Sequence, residues 1–265
     1  MLNPKQVATI EQRLSQTEQR VIVTEVDGIK MVIKRQEKAR PQSRYVLLKF
    51  AAKIFGQPVL APAYAPGGAE AQKIEVARLT RLAAAGVPVP ELLHIAPDWI
   101  AISYAGQYSI GRMIQKGELA PSVYWQQGLA AISEVHQKGQ NLSQVFVRNA
   151  VWNDDKITFI DFEDDPEASL GLANAQARDW LFYLFSSVWM LEISPTQAAK
   201  IMFEYLQKDP IEVQNVVLNS MKGIAWLRHL PSKRKPWGRD VVALNGIGTI
   251  LYEMQQLNLN TPHKV

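Results

Sequence analysis

The 265-residue chain contains no cysteine and only four histidines, His94, His136, His229 and His263. Without thiols it cannot form a disulfide, a thiolate metal site, an iron–sulfur cluster or a cysteine nucleophile. The histidines are scattered, with no i, i+4 pair, which argues against a histidine-built zinc site. Long apolar runs are also missing. The most apolar stretch, WLFYLFSSVWML from Trp180 to Leu191, is bracketed by Asp179 and Glu192. It is too short to span a bilayer and reads as a buried helix. The N-terminal stretch MLNPKQVATIEQRLSQTEQR is polar and lacks the apolar segment of a signal peptide. The cytoplasm is the expected location, with peripheral contact at the inner membrane left open. No G-x-S-x-G elbow occurs.

Neither sign of charge dominates. Lys plus Arg total 29 against 25 Asp plus Glu, a formal +4. That suits a phosphate-bearing partner without requiring one, and nucleic acid is not expected. With 47% hydrophobic and 20% charged residues the composition is globular, and the length suits one large domain or two lobes.

The elements follow from periodicity and turn chemistry. A polar helix is expected over residues 4–17. VIVTEV and IKMVIKR, joined by Asp27-Gly28, read as a β-hairpin, because both turn positions want positive φ. Helical spacing over 42–56 ends on Gly56, and QPVLAPAYAPGGA (57–69) reads as loop. A helix follows from about Glu70 to Ala85, then GVPVPELLHI, whose prolines block helix continuation. DWIAISYAG (98–106) reads as a strand entering a turn. Beyond it come a helix over 121–138 and two short β-rich pieces, QVFV and KITFIDF, separated by WNDD. Helices are then expected near 172–192, 195–207, 211–228 and 240–257. The division is into a β-containing part, residues 1–105, and a helical part, 106–265.

Chemistry gathers at four places. Lys30 and Lys34 lie on the same face of the second hairpin strand, and alternation cannot choose between them. Glu75 sits at the edge of its helix's apolar stripe, where it can meet a strand lysine. Asn149 closes one β-rich piece and Asp161 ends the next, so two oxygen ligands fall at one edge. Hard oxygen ligands in small number suit Mg²⁺ carrying a polyphosphate. Ile160 and Phe162 flank Asp161 and predict a partly buried carboxylate that needs a partner. Asp179 either caps the apolar helix or bonds a neighbouring loop backbone. His136, on an apolar helix, reads as a satisfied core histidine. The basic run from Ser232 to Arg239 reads as a solvated turn, with a grip on lipid phosphate or nucleic acid as the alternative.

The ordered set resembles the protein-kinase-like superfamily. It comprises a strand Lys (Lys34), a helix Glu (Glu75), GVPVPELL, a strand leading to SYAG, His136, Asn149, IDFE and Asp179. In detail, E-x-x-x-L-x-x-L-x-x-x-G-V-P-V-P from Glu75 to Pro90, and IDFEDDP followed by QARDWLFYLFSS, are similar to the bacterial branch near the Kdo/WaaP lipopolysaccharide kinases and the RIO-type atypical kinases. The resemblance covers about residues 20–192. It implies an α+β, bilobal protein-kinase-like fold, ATP and Mg²⁺ as cofactors, and a lipopolysaccharide sugar or a protein as acceptor. It further implies that Lys34 holds nucleotide phosphates and pairs with Glu75, that Ser103, Tyr104 and Ala105 face the adenine, and that Asn149 and Asp161 hold the metal.

Two departures qualify the activity. The family's catalytic loop carries an Asp five residues before the Asn, and here that place holds Gln144, which cannot accept a proton. The segment SQTEQR (15–20), where a glycine-rich phosphate loop would lie, has no glycine. The alternative implied is a pseudokinase, a regulatory or scaffolding protein without phosphotransfer.

Overall fold

A computed structural model describes residues 1–36, 66–153 and 156–260. The helix expected over 42–56 and the greater part of the loop expected over 57–69 lie outside the described residues.

Helix α1 (Pro4–Ser15) starts in a reciprocal cap. Asn3 Oδ1 accepts from the Gln6 N–H at 3.0 Å, the Gln6 side chain accepts from the Asn3 N–H at 2.9 Å, and Pro4 supplies the helical φ. Strands β1 (Val21–Val26) and β2 (Ile29–Arg35) form the expected hairpin, with Asp27 at φ 51° and Gly28 at φ 76°. Gln6 Nε2 donates to Asp27 Oδ2 and ties α1 to that turn. Helix α2 (Gly68–Ala84) begins two residues earlier than expected, inside the stretch read as loop. β3 (Leu92–Ile95) and β4 (Trp99–Ser103) complete an antiparallel sheet in the order β1-β2-β4-β3.

Alternation along these strands feeds two cores. Met31 and Ile33 of β2 and Trp99 and Ala101 of β4 pack against Ile10 and Leu14 of α1. Ile100 and Ile102 of β4 face the other way and join Leu79 and Leu82 of α2 in the main core. Lys34, between Ile33 and Arg35, therefore projects opposite α1, toward the rest of the molecule.

The chain continues through β5 (Tyr108–Ser109), α3 (Ile110–Lys116) and α4 (Pro121–Gln137) into β6 (Ala150–Asn153) and β7 (Lys156–Phe159). These three strands make a second sheet, β5-β6-β7. The expected strand at QVFV is not one. Residues 144–146 are coil and 147–149 a turn, and the strand begins only after Asn149. Then come α5 (Pro166–Leu170), α6 (Leu172–Ser187), a 3₁₀ turn (Val188–Met190), α7 (Pro195–Leu206), α8 (Ile211–Ile224), a 3₁₀ turn (Ala225–His229) and α9 (Arg239–Asn260). Helix α6 is buried round most of its surface, which is the signature of a central helix. Gly128 of α4 permits its close approach. A Cβ there would overlap the phenol of Tyr183, whose hydroxyl donates to the Trp125 carbonyl at 3.1 Å. No helix among the described residues is long and apolar enough to cross a membrane.

Candidate active site

A cleft of about 380 Å³ lies between the two sheets. Its first wall is Val21, Val23, Val32 and Ile102; its second is Val151 and Ile160. Val21 and Val23 are about half exposed, so apolar surface faces this space without protein cover. Ser103, Tyr104 and Ala105, from the strand-to-turn segment expected to face a base, line the cleft. Their first backbone groups are engaged. The Ser103 N–H donates to the Glu91 carbonyl at 2.9 Å, and the Tyr104 N–H donates to the Lys30 carbonyl at 3.3 Å. Lys30 itself is exposed, with its ammonium 4.0 Å from the centre of the Tyr104 ring. The structure thus distinguishes the two lysines that alternation left equal.

Lys34 is the inner one. Its Nζ lies 2.6 Å from Glu75 Oε1, 2.9 Å from Glu163 Oε1 and 3.6 Å from Asp161 Oδ1. Burial works against its charge, but the three carboxylates outweigh it and raise the pKa above the usual lysine value. Burial pushes the Glu75 carboxyl up, against the pull of Lys34. Glu163 is also bound by the Arg20 guanidinium. Although burial opposes its ionisation, Lys34 and Arg20 hold it below the usual carboxylate range. The cluster therefore sets three carboxylates against two cations, an arrangement that leaves room for further positive charge.

Asn149 and Asp161 come together by a route that differs from the expected one. Asn149 immediately precedes β6 and Asp161 follows β7 by two residues. Because β6 and β7 are antiparallel, with Ala150 opposite Phe159, both residues fall at the same end of the hairpin. The Ile160 N–H donates to the Asn149 carbonyl at 3.0 Å and fixes the pair. Asn149 Nδ2 donates to the Gln144 carbonyl at 2.9 Å and lies 3.5 Å from Asp161 Oδ2. That bond leaves the Asn149 Oδ1 lone pairs available. The Asp161 side chain keeps 32% of its exposure, which leaves it reachable from the cleft. No group of three or more His, Asp or Glu side chains able to cage a metal occurs among the described residues. A pair of oxygen ligands fits Mg²⁺, which retains waters and takes further ligands from phosphates.

Two non-glycine residues at the site have left-handed backbone, Ser143 at φ 82° and Asp161 at φ 77°. Such conformations cost roughly 1–3 kcal/mol each and persist only where surroundings enforce them. The enforcement at Ser143 is visible. Asp179 on α6 accepts from the Leu142 and Ser143 N–H groups at 2.7 and 2.9 Å, and the Ser143 hydroxyl donates to Asp164. Of the two roles open to Asp179, loop tethering is the one adopted. It is held in turn by His136 Nε2 at 3.3 Å, while His136 Nδ1 meets Asp209 Oδ2 at 2.8 Å. Trp180 Nε1 donates to the same Asp209 oxygen at 2.6 Å. Complete burial disfavours the imidazolium, yet the bonds to Asp179 and Asp209 prevail and bring the pKa up to about 9. His136 is thus a core residue that carries charge near neutral pH. Gln144 is half-buried on the tethered loop and lies outside the cleft lining.

Sequence reasoning gave no role to Glu163, Arg20 or Asp209. Glu163 stands in IDFEDDP, and its two-residue offset from Asp161 was the only available signal. The partner Arg20 is 143 residues away and Asp209 is 73 from His136, so neither pairing leaves a local pattern.

No protein-family model matches the chain, and no curated protein matches it. Among solved structures it is similar to a MAP kinase from Leishmania major, at 16% identity and a TM-score of 0.35, over 93% of this chain and 82% of that one. A small antiparallel sheet, whose strand lysine pairs with the glutamate of the neighbouring helix, followed by a largely helical part makes the architecture α+β.

Proposed function

We propose that the chain is an atypical kinase-like protein of the branch near the Kdo/WaaP and RIO-type kinases. On this reading it binds Mg-ATP in the inter-lobe cleft and phosphorylates a lipopolysaccharide sugar or another envelope-related acceptor, as a cytoplasmic protein with peripheral contact at the inner membrane. The observation that carries the reading is the Lys34–Glu75 pair facing Asp161, with Asn149 beside it. The valine walls suit a planar base, and Lys34 suits the phosphates. Asn149 Oδ1 and the Asp161 carboxylate are the groups that would hold the metal. Bound Mg²⁺ supplies neutralisation of the phosphate charge. Phosphoryl transfer asks a protein chiefly for positioning and electrostatics, which these residues can provide. Gln144 lies outside the cleft lining and cannot take the acceptor's proton, so that proton leaves on the transferred phosphate. The missing base slows turnover by ~10²–10⁴.

A second reading, the pseudokinase, is favoured by one observation. Glu163 already neutralises Lys34 and Arg20, the cations a nucleotide phosphate would meet.

Thermal unfolding with millimolar ATP, with and without Mg²⁺, tests the first reading. Saturation at a hundred times Kd stabilises the fold by about 2.7 kcal/mol. A Mg²⁺-dependent rise in Tm is expected. An unchanged Tm contradicts nucleotide binding and leaves the pseudokinase.

A further inference from the structure

A second cavity, of about 420 Å³, lies on the other side of the loop that ends at Asn149. Four elements build it: the loop segment Phe146–Arg148, the start of α3, the end of α6 with its following 3₁₀ turn, and the start of α9. It is lined by three arginines, Arg112, Arg148 and Arg239, against a single carboxylate, Asp240, which gives it two net positive charges. The Arg148 guanidinium stacks on Phe146 at 4.3 Å and that of Arg239 on Trp189 at 5.2 Å. Stacking occupies the faces of these groups and leaves their in-plane N–H edges for a bidentate oxyanion. Among the described residues no carboxylate is within ion-pair reach of Arg112 or Arg148. Arg239 meets Asp240 only at 3.8 Å in an exposed pair, which is weak. The framing is rigid, since Ser186 Oγ accepts from the Val147 N–H at 3.0 Å and donates to the Tyr183 carbonyl at 3.0 Å.

We propose that this cavity binds a small molecule carrying a phosphate or carboxylate group, held by Arg112, Arg148 and Arg239. The volume lies in the range of small-molecule sites, and guanidinium edges held by stacking match an oxyanion. Arg148 directly precedes Asn149, so one loop segment contributes to this cavity and to the cleft. If the phosphotransfer reading above holds, the cavity is the acceptor subsite. A ligand hydroxyl oxygen then bonds to the γ-phosphorus, the bond from that phosphorus to the β–γ bridging oxygen breaks, ADP leaves, and the hydroxyl proton departs on the new phosphate.

Calorimetric titration without nucleotide tests the site by itself. The probes are glucose 6-phosphate and glucuronate, with glucose as the neutral control. At least one anion is expected to bind with a millimolar Kd, about tenfold or more tighter than glucose, and the Arg148→Ala/Arg239→Ala variant is expected to lose that difference. Which anion binds identifies the phosphate or the carboxylate as the recognised group. Absence of binding by both anions at about 10 mM, or equal binding by wild type and variant, overturns the proposal. Circular dichroism confirms that the variant is folded, as expected for exposed side chains. Anion binding through the arginines in a protein that does not bind ATP would keep the site and overturn its role as acceptor subsite.

Discussion

Raising the pH from 6 to 9 should weaken the protein through one buried histidine. His136 is enclosed between Asp179 and Asp209, and its pKa stands at about 9 against an ordinary 6.5. A folded-state pKa above the unfolded one means that the folded state holds the proton more tightly. The resulting stability is complete below about pH 6.5, declines as pH rises toward 9 and is absent above it. At about 1.4 kcal/mol per pKa unit the full contribution is about 3 kcal/mol. For a domain of this size that corresponds to roughly 6–12 °C in Tm. Urea unfolding at pH 6, 7.5 and 9 should show the midpoint falling in the wild type. The same series on His136→Gln should be flat over this window, though lower throughout because two buried carboxylates lose their cation. The comparison subtracts the other histidines and the N-terminus. A wild-type midpoint that is constant or rises from pH 6.5 to 9, or an equal slope in His136→Gln, would refute the assignment of a charged imidazolium. The consequence reaches the cleft, because Asp179 also tethers Leu142 and Ser143 at the base of the loop that carries Asn149.

Glu163→Gln removes the carboxylate that occupies Lys34 and Arg20, and ATP affinity measured by calorimetry should rise about tenfold, equivalent to ~1.4 kcal/mol; weaker binding would assign Glu163 to the nucleotide site itself. Gly128→Ala forces Tyr183 to move and strains its bond to Trp125, with an expected loss of about 1–3 kcal/mol in denaturant unfolding; an unchanged midpoint would mean that the α4–α6 contact can relax. Gln144→Asp should raise any measurable phosphotransfer by supplying a proton acceptor, and a flat or lower rate in a labelled-phosphate assay would give Gln144 another task.

Much of this arrangement was legible because it is local. Asp27-Gly28 demands positive φ and specifies the hairpin, and 3.6-residue spacing marked the helices of the C-terminal half with boundary errors of a few residues. Short elements were not legible. β5 has two residues, too few for any period, and β3 follows a proline-rich run. The Asn149–Asp161 pairing was anticipated from a strand at 144–147 that does not exist. It holds because the residues just outside a β-hairpin's open end must meet whichever exact residues are paired. Alternation could not tell Lys34 from Lys30, since both sit on one face; the family resemblance pointed to Lys34, and the depth of the cleft separates the two. The ion pairs of Glu163 and Asp209 arise from long-range packing, which no sequence period records.

The central claim is that the inter-lobe cleft is a Mg-nucleotide site built on Lys34, Asn149 and Asp161. Calorimetric titration of ATP into wild type and Asp161→Asn, each with and without Mg²⁺, tests it most directly. The reading predicts that Mg²⁺ strengthens ATP binding about tenfold in the wild type and has little effect in Asp161→Asn. Failure of ATP to bind the wild type, or an equal Mg²⁺ effect in both proteins, would contradict it.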